Sequence, residues 1–80
     1  MTYSLEISDQ AREQIDALPP NAASALADVW AFLELTPWAG TSMAEHTAVR
    51  NVEFHDGLGL VTYLILEDQR IVDVLLILWL

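Results

Sequence analysis

The spacing of apolar residues changes twice along the chain, from every second position to every third or fourth and back again. Tyr3, Leu5 and Ile7 alternate with Thr2, Ser4 and Glu6, which predicts a short first strand with one buried face. Ser8 is a good N-cap and Asp9 suits the positive end of a helix. Ala11, Ile15 and Leu18 then recur at helical spacing, predicting a helix over residues 9–18. Pro19-Pro20 stops it, and Asn21, a residue type favoured at N-caps, starts another. Over residues 21–35 the stripe Ala22, Leu26, Val29 and Leu33 is widened by Ala25, Trp30 and Phe32, with Asp28 and Glu34 on the wet side. Thr36-Pro37 ends this second helix, because a residue before proline avoids helical geometry. Two helices with so short a break form an antiparallel hairpin, and its stripe needs a sheet to cover.

Trp38 to Thr47 has no clear period and reads as a loop. A second strand follows over about residues 48–54, with Arg50, Val52 and Phe54 on one face and Val49, Asn51 and Glu53 on the other. His55-Asp56-Gly57 is a hairpin turn, in which Gly57 or Gly59 supplies the positive φ. The third strand, about residues 59–66, sets Leu60, Thr62, Leu64 and Leu66 against Val61, Tyr63 and Ile65. After a turn at Glu67-Asp68-Gln69-Arg70, the fourth strand runs from Ile71 to Leu80, interrupted only by Asp73. Its last seven residues, from Val74, are apolar on both alternations, which predicts a central strand with cover on both faces.

The pattern therefore predicts an α+β, two-layer domain spanning residues 1–80, ordered strand–helix–helix–strand–strand–strand. Its four-stranded, mainly antiparallel sheet has the order 1-4-3-2 and packs on the helix hairpin. Leu26, Val29, Leu33, Leu64, Leu76 and Leu78 are the expected helix–sheet interface. One helix layer covers one sheet face, yet the third and fourth strands are apolar on both. The second face is accordingly expected to be buried by a second copy or by a segment of another protein. Leu60, Leu78 and Trp79 are the expected contact residues.

Charge narrows the partners. Twelve Asp and Glu face three Arg and no Lys, for a net charge of −9 among 80 residues. Such a chain repels phosphate backbones and gains little from counterion release, which disfavours nucleic acid and anionic membranes and favours a basic protein segment. The same acidity also serves solubility. The absence of cysteine excludes disulfides, thiolate metal sites and a catalytic thiol. No apolar run approaches the roughly 20 residues that span a bilayer. The first residues carry no basic region followed by an apolar segment, so a cytoplasmic location is expected.

Candidate chemistry is sparse. His46 and His55 are the only imidazoles. His55-Asp56 is compatible with a base and its orienting carboxylate or with two metal ligands, and equally with ordinary turn residues. Tyr63 beside Arg50 is compatible with a site, or with a core ring whose hydroxyl is wet and an arginine paired with Glu53 or Glu45. No phosphate-binding glycine loop is present, and neither a metal nor a cofactor is expected.

Several stretches in this order resemble the RelE/ParE toxin superfamily of bacterial toxin–antitoxin modules. They are Tyr3-Ser4-Leu5-Glu6-Ile7, the Leu18-Pro19 break, the close at Thr36-Pro37, Val49 to Phe54, Gly59 to Ile65 and Val72 to Ile77. The resemblance implies a RelE-like fold and an antitoxin partner. The family's ribosome-dependent members cleave mRNA with basic residues and a late tyrosine. Arg50 falls where the family commonly has a strand arginine, whereas Leu60, Leu78 and Trp79 fall where it places cations. A transition state with extra phosphate charge would lack a stabiliser there. The resemblance, weighed with these losses, implies a toxin-like component that acts by binding proteins, without ribonuclease activity. The alternatives are an active toxin, either a gyrase poison or an mRNA interferase, and a stand-alone homodimer with no toxin role.

Overall fold

A computed structural model describes residues 2–42 and 48–80. The elements are β1 (Ser4–Ile7), α1 (Asp9–Asp16), α2 (Pro20–Leu35), β2 (Thr41–Ser42), β3 (Val49–Phe54), β4 (Gly59–Leu66) and β5 (Ile71–Trp79), with 3₁₀ turns at Pro37–Ala39 and Glu67–Gln69. The sheet order is β1-β5-β4-β3-β2. The four strands predicted from the sequence thus lie in the predicted order, and the correction is a fifth, two-residue strand at the edge. Thr41 and Ser42, both exposed, pair with Asn51 and Arg50 and carry no apolar alternation that could announce them. Only the β1–β5 pairing is parallel.

Both helices follow from their ends. Ser8 accepts a hydrogen bond from the Ala11 amide, so α1 begins as expected. It closes at Asp16, two residues short of expectation. In α2 the expected cap, Asn21, lies inside the helix. Pro19 occupies the cap position without a side-chain bond, and Pro20 takes the first turn, where its missing N–H costs nothing.

The helices cover one sheet face. Ala11, Ala22, Leu26, Val29 and Leu33 meet Val61, Tyr63, Ile65, Val72, Val74 and Ile77, all buried. This corrects the expected interface on the sheet side: Leu64 and Leu76 are half-buried on the opposite face, and Leu78 is 48% exposed. Because both alternations are apolar, period alone could not say which one meets the helices. A register shift opposite Thr62/Tyr63 adds to the difficulty. Thr62 pairs with Leu76 and Tyr63 with Val74, which leaves Leu75 as the extra residue of a bulge. Strict alternation through β5 would put Val74, Leu76 and Leu78 on one face; the bulge turns Leu76 and Leu78 away and brings Ile77 in. Cover on both faces of β5 is likewise not found among the described residues.

Beyond β1, the outer edge of β5 is closed by α1 and its cap. The Ser8 amide donates to the Val74 carbonyl (3.0 Å) and the Ser8 hydroxyl to the Leu75 carbonyl (3.1 Å). The Ile77 amide donates to Gln14 Oε1 at 2.7 Å.

Candidate functional site

Arg50 and Tyr63 are cross-strand partners on the helix-covered face, so the structure does bring this predicted pair together. Their polar atoms, however, are turned to the backbone. The Tyr63 side chain is fully buried and its hydroxyl donates to the Pro37 carbonyl at 2.6 Å, which corrects the expectation of a wet hydroxyl. Burial pushes this phenol above its ordinary pKa, against the opposing pull of the Arg50 charge. Arg50 Nη1 donates to the Trp38 carbonyl (2.6 Å) and the Gly40 carbonyl (2.9 Å), and its guanidinium stands 5.0 Å from the Trp38 ring centroid. Bonds to the loop carbonyls thus replace the expected pairing with Glu53, while Glu45 lies outside the described residues. Together the two side chains tie the 37–40 turn to the sheet. Gly40 is the residue that lets them: a Cβ there would collide with the Tyr63 hydroxyl and come within 2.9 Å of the Asn51 carbonyl.

Trp38 links this tie to a second cluster that the periodicity did not reveal. Its indole N–H donates to Glu67 Oε1 at 2.6 Å, and the Tyr3 hydroxyl donates to the same oxygen at 2.6 Å. Arg70 completes the cluster through an ion pair with Glu67 Oε2 at 2.8 Å and by stacking 4.1 Å from the Tyr3 ring centroid. The donated bonds favour the ionised carboxyl, led by that from Tyr3, and hold the Glu67 pKa below its ordinary value. The same bond, keeping the phenol proton engaged, raises Tyr3. The four members come from three stretches far apart in sequence, so only the fold, by joining β1, the 37–39 turn and the 67–70 turn, makes the group visible.

His55 opens a hairpin turn in which His55, Asp56 and Gly57 all have positive φ (52°, 55° and 85°). Gly57 was one of the two expected positions; the other two belong to residue types that tolerate this region. The imidazole meets Asn21 Nδ2 at 3.2 Å through Nε2 and sits edge-on to Trp79, with ring centroids 5.3 Å apart. Among the described residues no group of three or more His, Asp and Glu could hold a metal. His46 lies outside the described residues.

The predicted contact residues separate. Leu60 and Leu78 are directly paired on the face turned away from the helices. Trp79 lies on the helix side, where it stacks on Phe54 with centroids 6.0 Å apart. At one corner of the uncovered face, Leu58, Leu60, Leu78 and Leu80 line a concavity of about 250 Å³ with Glu53 beside it. Leu58, Leu78 and Leu80 are three of the five large apolar side chains that stay exposed among the described residues. Leu58 was missed from the sequence because a turn residue has no partner in a periodic pattern, and Leu80, expected as the last residue of the strand, lies just past its end at Trp79. Their bond to each other, from the Leu80 amide to the Leu58 carbonyl (3.0 Å), is what builds the corner.

No protein-family model and no curated protein matches the chain. Solved structures share its fold. One is the Escherichia coli toxin RelE in the free state, a double arginine-to-alanine mutant: TM-score 0.84 at 13% identity, covering 96% of this chain and 82% of that one. Another is the RelBE2 toxin–antitoxin complex of Mycobacterium tuberculosis, with TM-score 0.76, 21% identity and full coverage of both chains. A third is the archaeal RelE–RelB complex of Pyrococcus horikoshii OT3, with TM-score 0.74, 16% identity and coverage of 99% and 96%. The chain therefore has a RelE-like fold.

Proposed function

We propose that this chain, as a single cytoplasmic domain, is the toxin-like member of a toxin–antitoxin pair, and that it works by binding protein without cleaving RNA. The RelE-like fold supports the first half, and the structures sharing it include a toxin–antitoxin complex and a RelE–RelB complex. The second half rests on one observation. Two of the side chains that carry candidate chemistry, Arg50 and Tyr63, are bonded to the carbonyls of Pro37, Trp38 and Gly40. A Tyr63 hydroxyl that is buried and already donating is out of reach of a phosphate. Leu60 and Leu78, at positions where cations are expected for phosphate chemistry, form an apolar pair instead. Direct contact with nucleic acid is further opposed by the net charge of −9. The acidic, partly apolar surface that remains is suited to a protein ligand.

Two assays test this. On ribosomes programmed with mRNA, the purified chain is expected to leave transcripts intact; specific cuts abolished by Arg50→Ala would refute the non-nuclease reading. On induction in a bacterial host, with and without the adjacent reading frame, the neighbour's product is expected to bind the chain and set its effect on growth. A chain that binds no neighbour product and has no effect on growth in either case would refute the toxin-like reading.

A further inference from the structure

The uncovered sheet face has a composition that the covered one lacks. By register it carries Leu60, Leu64, Leu76 and Leu78 down its middle, with Glu53 on one flank and Glu6 and Asp73, paired with each other, on the opposite flank. No cation stands on it: Arg12 is on α1, Arg50 faces the helix layer, and Arg70 is held in the turn with Glu67 and Tyr3. The leucine-lined corner of about 250 Å³ gives this face a socket, and Glu53 places a carboxylate at its lip. An apolar strip with a socket and a carboxylate on each flank is complementary to leucine-like side chains accompanied by Lys or Arg. A second copy of the chain fits poorly, because each copy brings net charge −9 and the same carboxylates to the contact. The other layer of this fold shows what covers an apolar sheet face well, namely an amphipathic helix.

We infer that this face docks a cationic amphipathic helix of a partner protein, with an apolar anchor in the Leu58–Leu60–Leu78–Leu80 corner and Lys or Arg residues against Glu53, Glu6 and Asp73. The inference rests on the protein-binding reading above and adds the charge and form of the partner segment.

The test uses the purified chain and two synthetic peptides with the same helical stripe of leucines, one carrying lysine at the remaining positions and the other glutamate. The lysine peptide is expected to bind, and its affinity to fall at least tenfold as salt rises from about 0.1 M to about 0.5 M. Leu78→Ser removes a half-exposed side chain and should weaken binding at least tenfold; Glu53→Lys should weaken it at least fivefold. Glu13→Lys makes the same change of net charge on the exposed side of α1 and should leave binding within twofold. Four outcomes would each overturn the inference: equal binding of the glutamate peptide, no binding of the lysine peptide, equal weakening by Glu13→Lys and Glu53→Lys, or sedimentation showing that Leu78-dependent self-association occupies the face. Failure here and failure of the toxin-like reading are separable. Peptide binding without any growth effect or neighbour binding sinks only the latter, and a neutralised growth effect without peptide binding sinks only the former.

Discussion

Tyr63 shares with Arg50 the work of holding the 37–40 turn against the sheet, and its part is one buried hydroxyl for which Gly40 leaves room. Tyr63→Phe would strand the Pro37 carbonyl in an apolar setting, an effect of about 1–3 kcal/mol, measurable by urea unfolding. Glu67 offers a different handle. Its folded pKa is depressed from the ordinary 4.5 by donated bonds, led by that from Tyr3. The stability it contributes is therefore fully present above pH 4.5 and lost as pH falls through the lower, folded value. Glu67→Gln should flatten this acid limb by lowering the unfolding midpoint at neutral pH toward its acid value, a small change because the pair is exposed; melting curves between pH 7 and pH 3 check it. Neither the Tyr63 bond nor the Glu67 cluster was legible in the sequence. Both depend on where the 37–40 turn runs, and that stretch has no period from which to infer a path. What was legible was that Arg50 and Tyr63 would be neighbours, because strand register follows from alternation and a short turn.

The same limit shows at the level of elements. Strand order could be read from the chain because the strand richest in apolar residues belongs at the centre, and helix faces because Leu26, Val29 and Leu33 are opposed by charged positions. Sheet faces could not be read, since nothing polar marks one side of β4 and β5 for most of their length and Leu75 bulges out of register. Measured energies should follow the observed faces. Leu26→Ala, at a position 1% exposed, is expected to cost about 2–5 kcal/mol. Leu78→Ala, although it shortens the same kind of side chain in the most apolar strand, should stay below about 0.5 kcal/mol, as surface changes do. Equal losses at the two positions, read from denaturant midpoints, would mean that the helices cover the other face.

For the whole molecule, the arrangement divides the surface of a small, apolar, strongly acidic chain into a sheltered side and an offered one. The offered side is the uncovered sheet face with its leucine corner. The sheltered side includes the outer edge of β5 beyond β1. There the Gln14 side chain accepts from the Ile77 amide, while Ser8 engages the carbonyls of Val74 and Leu75. Those are the groups on which an incoming strand would otherwise template itself. A run as apolar as Val74 to Trp79 would, with that edge bare, be a seed for fibrillar stacking. One glutamine and one serine, by engaging three backbone groups along that edge, blunt it as a template, and repulsion between acidic copies acts in the same direction.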